Sequence, residues 1–578
     1  MFCSGLRIIS LAVLVAGGVV LAGCAEWYAE DADREVYGVI DQRQEQAIGI
    51  RSDAYSGKPK GPPRVGSEGY AFAPHPVDPE VPEAFKRRAD EAQIDAAEEA
   101  RAATQPATAS APAEPVPQPL FMGFEDVIRY AFQNARDYQS RKEDLYLSAL
   151  DLTLERHLWT PQFIAEVESN FVNYGQIRDF DRAMDTIANV AATQRLPLGG
   201  QVSAQLISTF MRDLGRHITS QESSELILSA DIPLLRGAGR VALETRYQAE
   251  RDLIYAVREF ERQRRSFFVD VASDYFDLLV QRQVVKNAEF SVASFEEDYE
   301  RAKALNEAGR VDILEVQRAE QNLLQSQNDV VNEQARFENL LDQFKIRIGM
   351  LVRERLELVE EDVDVPVPSV TVDEAIDTAL RSRLDLITEL DRVADAQRGV
   401  RVAANQLLPD LNLSGNVTFD THPEKLGYYD FNEERATWRG NVTLGLPVDR
   451  KIERNEYRRS LIGLRRAERN YELQADTVRQ EVRRAVRTFF EARRSLEIQE
   501  LNIELATQWR EAAAVKFELG LVNNLAKVDA ENALRGARDQ YAAALARYRV
   551  AVLAFRRDTE TLRIEEDGMW VEMAGEGG

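Results

Sequence analysis

The side chains best suited to chemistry are few in this chain. It has two cysteines, Cys3 and Cys24, and four histidines, His75, His157, His217 and His422. The histidines lie far apart, without the close spacing that brings two imidazoles to one ion, and the seven methionines form no cluster. Such a pattern offers no metal site. There is no nucleophile elbow, no phosphate-binding glycine loop and no Cys/His pair. Carboxylates are plentiful, but they fall on charged helical faces, where solvation is their default role. The residues therefore point to no enzyme, no metal and no cofactor. What remains is the chemistry of one thiol and of an acidic surface.

That thiol is Cys24. Arg7 precedes an apolar run, Ile8–Ala22, which contains Gly17 and Gly18 and ends in Leu21-Ala22-Gly23-Cys24. The run reads as a secretory signal over residues 1–23 rather than a stable membrane span. LAGC resembles the bacterial lipobox, in which the cysteine is lipidated and becomes the mature N-terminus, so Cys24 is a lipid-attachment site. Ala25 follows instead of the Asp associated with retention at the inner membrane, which points to the outer membrane. No later stretch reaches the roughly 20 apolar residues a membrane helix needs. If the chain crosses a bilayer, strands must do it, closed so that no edge meets lipid. The formal net charge of −25 argues against a nucleic-acid partner, because phosphate neutralisation needs clustered Lys and Arg. It suits soluble long helices and equally a negatively charged surface or pore.

The elements that must position these residues come in two copies. Phe124–Tyr138 (FEDVIRYAFQNARDY) is echoed by Val372–Leu386 (VDEAIDTALRSRLDL), and Pro161 and Phe171 return 248 positions later as Pro409 and Phe419. A period this long is a duplicated domain, not a solenoid repeat. Each copy begins helical, stops at its Pro, and then alternates. Phe163, Ala165, Val167 and Phe171 alternate with polar neighbours, and Leu411, Leu413, Val417 and Phe419 do so in the second copy. Returning strands follow at Leu226–Ile232 and Val442–Leu446. Period two with one apolar face suits a transmembrane barrel and equally any half-buried antiparallel sheet. The first copy holds extra residues whose alternation predicts an additional hairpin turning at Pro197–Gly200, which either enlarges the sheet or covers it.

Two very long helices come next, from about Arg240 to Asn306 and from about Arg450 to Leu519, each spanning roughly 100 Å. Phe268, Ala272, Tyr275 and Leu279, and Val482, Val486 and Phe489, recur at coiled-coil spacing. Turns at Gly309 and Gly520 end them, each glycine placed as a left-handed helix cap. Shorter helices, 137–160 with 311–349 and 384–407 with 523–560, are of a length to stack end to end beside one long helix. By contrast, residues 24–119 include the Pro/Ala-rich stretches Gly57–Pro63 and Thr104–Pro119, which cannot bury a core. They read as a flexible tether, with a short helix near Glu83–Ala103 or a small folded module around Asp31–Ile50 as additions.

This order of elements, repeated twice behind a signal peptide, resembles the TolC-like outer membrane efflux proteins over roughly residues 120–560. The residues that carry the resemblance are Pro161 and Pro409 at the strand entries, Ile232–Gly237 (IPLLRG) after a strand, and Asn306–Leu314 (NEAGRVDIL) and Glu518–Leu525 (ELGLVNNL) at the helix turns. The resemblance implies an α+β membrane protein: a homotrimer whose strands form a shared outer-membrane β-barrel, continued by a periplasmic α-helical barrel. It divides the chain into the lipidated tether, a first repeat at 120–365, a second at 366–562 and a tail at 563–578. It implies four strands per protomer, from which the extra hairpin departs. It also implies two partners, a periplasmic adaptor and an inner-membrane pump, of an efflux or type I secretion system. They would meet the helix tips at Gly309, Val311, Asp312 and Leu314 and at Gly520, Leu521 and Asn523. In the family, acidic residues past the second tip narrow the entrance. Asp529 matches one of them, whereas Ala526 stands in place of the other, and Val522 stands where the family has a basic gating residue. The alternative reading is a lipid-anchored coiled-coil envelope scaffold without a channel.

Overall fold

The computed structural model describes residues 25–48, 120–173, 182–213, 220–359, 371–421, 431, 434, 436–519, 521–522, 524–565 and 568–570. The signal, Cys24, most of the expected tether, His75, His217, His422, Gly520 and Asn523 lie outside the described residues.

Helix α1 (Ala25–Ile48) precedes strand β1 (Leu120–Met122), α2 (Phe124–Asn134) and α3 (Arg136–His157). Four strands follow: β2 (Gln162–Asn173), β3 (Arg182–Arg195), β4 (Gln201–Asp213) and β5 (Ser220–Pro233). A 3-10 turn at Gly239–Leu243 leads into α4 (Glu244–Glu307), and α5 (Ile313–Ile348) and β6 (Leu356–Leu358) complete the first copy. The second copy comprises α6 (Val372–Ser382), α7 (Leu384–Asn405), β7 (Asp410–Asp420), β8 (Thr437–Gly445), α8 (Lys451–Glu518) and α9 (Asn524–Asp558).

The long helices have 64 and 68 residues. As their lengths require, α3 and α5 line α4 in succession, and α7 and α9 line α8. The copies join because α4 also packs against α7 and α9. Sequence alone runs helix through 124–160, but Ala135 adopts an extended conformation and splits it into α2 and α3. The split lets α2 turn its apolar face inward: Phe124 stacks on Phe276 at 5.5 Å and meets Phe268 edge-on at 6.3 Å. Trp570 closes this aromatic cluster. Edge and offset contacts of this kind suit the ring quadrupole.

β2, β3, β4, β5, β7 and β8 form one antiparallel six-stranded sheet in that order. The extra hairpin is thus β3 and β4, and it enlarges the sheet. Its turn requires Gly200, whose φ is +85° and whose added Cβ would lie 2.0 Å from the Asp231 carbonyl oxygen. The sheet is tied to the helices through the IPLLRG segment: the Leu234 N–H donates to the Leu411 carbonyl (2.7 Å), the Gly237 N–H to Asn405 Oδ1 (2.7 Å) and Arg236 Nε to Gln406 Oε1 (2.7 Å).

Of the two readings of the segment after Cys24, a flexible tether and a small folded module around Asp31–Ile50, the second matches the start, where α1 docks on α3 and α4. Val36, Val39, Ile40 and Ala47 are buried. Tyr146 Oη donates to Asp33 Oδ1 at 2.6 Å, Arg43 pairs with Glu250 at 2.9 Å, and Arg258 Nε donates to the Ala47 carbonyl at 3.2 Å. The apolar side chains recur at helical spacing in an otherwise charged segment, so burial of one narrow stripe suffices to hold it. Among the described residues, no helix is long and apolar enough to cross a membrane.

Candidate functional site: the paired helix tips

α4 and α8 both end in a tight reversal. At the first, Gly309 has φ +72°, and a Cβ there would meet nothing within 4 Å. Its N–H donates to the Asn306 carbonyl (2.8 Å), and the Arg310 N–H reaches back to the Leu305 carbonyl (2.8 Å). These bonds satisfy carbonyls that a helix end leaves without partners, in the manner of a Schellman cap. Asn306 Nδ2 then donates to the Val311 carbonyl at 2.8 Å, fixing the path into α5. Asp312 occupies the N-cap position of α5 but makes no side-chain cap bond, so its carboxylate remains available at the positive end of the helix. Past the end of α8 one bond of the same kind recurs: the Leu521 N–H donates to the Lys516 carbonyl at 2.9 Å.

Of the residues the sequence singles out, Gly309, Asp312, Leu314 and Leu521 are exposed, and Val311 and Val522 are half-buried. Ile313, Leu314, Leu519, Leu521 and Leu525 are each more than half exposed. Bare aliphatic side chains at both helix reversals are of the kind that marks an interaction surface. The structure brings the two tips together around a cavity of about 700 Å³ lined by Asp298, Leu305, Val311, Phe517 and Val522 among others. Asp529 lies on α9 with its side chain exposed, and Ala526 is half-buried.

Sequence reasoning missed what holds the tips together. Lys527 Nζ pairs with the Asp298 carboxylate, linking α9 to α4. Asp298 is 4% exposed, and Lys527 sits 5.9 Å from the centre of the Phe517 ring. Above this pair, Ser294 donates to Glu531, and Asn287 Nδ2 donates to Asp539 Oδ1 at 2.6 Å. Burial pushes the Asp539 carboxyl above the usual range, against the opposing hydrogen bond from Asn287. The signal was present: Asn287, Ser291 and Asp298 occupy the inward stripe of α4, with Ala288 and Phe295, where a coiled coil wants apolar residues. The partners of Asn287 and Asp298, Asp539 and Lys527, are more than 200 residues away and could not be paired by spacing.

Nearer the sheet, a charged belt joins the copies. Asp391 accepts from Arg251 and Arg258, both at 2.6 Å, Tyr255 donates to Asp395 at 2.6 Å, and Arg262 pairs with Asp385 at 3.2 Å; within the second copy Arg383 bridges Asp385 (2.7 Å) and Glu481 (2.6 Å). Burial alone would raise the Asp385 and Asp391 carboxyls. The arginine hydrogen bonds and charges outweigh it and hold both below the usual range. His157 is exposed at the end of α3.

The profile of the outer membrane efflux protein family matches residues 182–341 and 375–557. No curated protein sequence matches the chain. Among solved structures, the fold is similar to the outer-membrane channel OprN, at 17% identity over 75% of this chain and 89% of that one, with a TM-score of 0.56. It is also similar to the outer membrane protein VceC of Vibrio cholerae, at 13% identity over 75% and 95%, TM-score 0.57. A third is the CmeC outer membrane channel of Campylobacter jejuni, at 15% identity over 75% and 85%, TM-score 0.56. Identities this low show a shared fold alone. The two profile-matched segments fall one on each copy of the duplicated domain and together take in more than half of the residues, and on that ground the chain belongs to the outer membrane efflux protein family, whose members are outer-membrane channel components.

Proposed function

We propose that this chain is the passive exit duct of a tripartite efflux system. Three copies close a barrel in the outer membrane, and their helices continue it as a tunnel across the periplasm. Cys24 carries a lipid that anchors the N-terminus, immediately before α1. The exposed tips, at Gly309, Val311, Asp312 and Leu314 and at Gly520, Leu521 and Asn523, meet a periplasmic adaptor. An inner-membrane pump supplies the energy, and Asp529 helps to narrow the entrance.

The observation that carries this reading is the union, in one chain, of a sheet with one exposed apolar face and two helices of roughly 100 Å. A sheet exposing Phe163, Val167, Phe171, Trp438 and Val442 to water would aggregate; facing lipid, it is at home. The test is single-channel conductance of the purified protein in planar bilayers, with its mass in detergent measured alongside. Stable pore currents from a trimer are expected. A Cys24→Ser protein, exported without its lipid, should still need detergent; if it were a soluble monomer without currents, the chain would be an envelope scaffold instead.

A further inference from the structure

We propose that the hairpin β3–β4 is part of the transmembrane wall, so that each chain contributes six strands and three chains close a barrel of eighteen. This rests on the trimeric duct proposed above. It departs from the four strands per chain that the family resemblance implies, and it makes the outer-membrane section of porin calibre. Barrel diameter rises about linearly with strand number, and barrels of about 16–18 strands hold an aqueous channel. The exit would therefore pass bulky hydrophilic solutes, with selection by size left to the helix tips.

Four observations place the hairpin in the wall rather than across the pore. Its pairing is unbroken on both sides: β3 matches β2 from Gln162↔Thr193 to Asn173↔Arg182, and β4 matches β5 from Gln201↔Asp231 to Arg212↔Ser220. A plug would leave β2 to pair with β5 directly. Second, the two faces run across all six strands without a change of character. One row reads Phe163, Ala192, Ala204, Leu228, Val417, Trp438 through successive Cα partners. The row on the opposite face through Glu166 reads Asn189, Ile207, Glu225 and Asp420. The apolar face of the hairpin is bare, with Val190 50% and Met184 40% exposed, as suits lipid and not a water-filled lumen.

Third, polar-face hydrogen bonds stitch the hairpin inside itself and to its neighbour: Gln205 Nε2 donates to Asn189 Oδ1 at 3.1 Å, and the Ser203 and Ser229 hydroxyls lie 2.7 Å apart. Fourth, the hairpin turn is fastened to the entrance of α4, where the Gly239 N–H donates to the Leu198 carbonyl at 2.7 Å. The even strand count matters as well. With five antiparallel steps between them, β2 and β8 run in opposite directions, so β8 of one chain can pair antiparallel with β2 of the next and remove every free edge.

The experiment is disulfide trapping in the full-length protein in outer membranes, with imaging of the same protein. Ala165→Cys with Val190→Cys, and Glu166→Cys with Asn189→Cys, join β2 to β3 across facing positions. Ala165→Cys with Leu226→Cys lies three strands apart in the six-strand sheet, about 14 Å, beyond disulfide reach. We expect the first two pairs to oxidise in the assembled trimer and the third to stay reduced. Electron cryo-microscopy should show an eighteen-strand wall about 1.5 times as wide as one of twelve. A trimer that traps Ala165→Cys with Leu226→Cys, or shows twelve strands, would overturn this inference and leave the duct standing. A protein that forms neither trimer nor pore would remove the duct, and this inference with it.

Discussion

Gly309 is left-handed with open space around it, so a side chain there strains the backbone without clashing. The expected penalty is about 1–2 kcal/mol, too little to unfold helices this long but enough to move an exposed turn. Gly309→Val together with Gly520→Val should therefore leave the trimer intact while export falls, read as retention of the exported solute in cells depending on this protein. Unchanged export would remove the tips from the docking surface. Asp298 and Lys527 behave differently, because both are largely buried. Lys527→Met strands the Asp298 carboxylate, whose Oδ2 has no hydrogen-bond partner among the described residues. Losing one member of a buried pair costs about 3–5 kcal/mol, whereas replacing both with apolar groups is often neutral. The single variant should open the tip to limited proteolysis and Asp298→Leu with Lys527→Met should close it again; equal susceptibility of the two would show that the pair does not hold α4 to α9.

At the scale of elements, the charged belt between α4 and α7 has a definite pH signature. The Asp391 carboxyl is held below its ordinary value of 3.8 once folded. Its contribution to stability is fully present above that value and disappears as pH falls through the lower, folded value. The melting temperature of Asp391→Asn should thus lie below that of the wild type at neutral pH, and the gap should narrow under acid below about pH 3.8. A gap that widened in acid would show that the arginines do not act through the ionised carboxylate. The same scale shows what the sequence could and could not disclose. The long helices and the strands announce themselves through period, proline and glycine, and the hairpin through its Pro-Leu-Gly-Gly turn. α1 was marked only faintly, as the folded module around Asp31–Ile50, because only Val36, Val39, Ile40 and Ala47 mark its buried side, amid charges that read as solvated chain. The break at Ala135 was silent, since neither glycine nor proline marks it. The tip network eluded reading because Asp298 and Lys527 acquire meaning only when distant helices meet.

For the whole molecule, the polar face of the sheet is acidic. Glu166, Glu168, Asp185, Glu225, Asp231 and Asp420 share it, whereas Arg195 and Arg439 are its basic members among the described strand residues. Rings of carboxylates favour cations in a pore. The open channel should accordingly prefer potassium to chloride in reversal-potential measurements, and Glu166→Gln with Glu225→Gln and Asp420→Asn should weaken that preference with the current left flowing. An anion-selective wild type would turn this face away from the lumen. Solvent screening will blunt the effect as salt rises.

The pinned hairpin also bears on how such pores change over generations. A gene can acquire one hairpin at a time, because a lone strand would reverse the direction of the sheet edge and forbid antiparallel closure. In a threefold assembly each such acquisition is copied three times around the ring. Calibre can therefore change only in jumps of six strands, with no intermediate sizes for selection to sample. The bond from the Gly239 N–H to the Leu198 carbonyl ties any such added hairpin to the helix beneath it, so that wall and tunnel would have to change together.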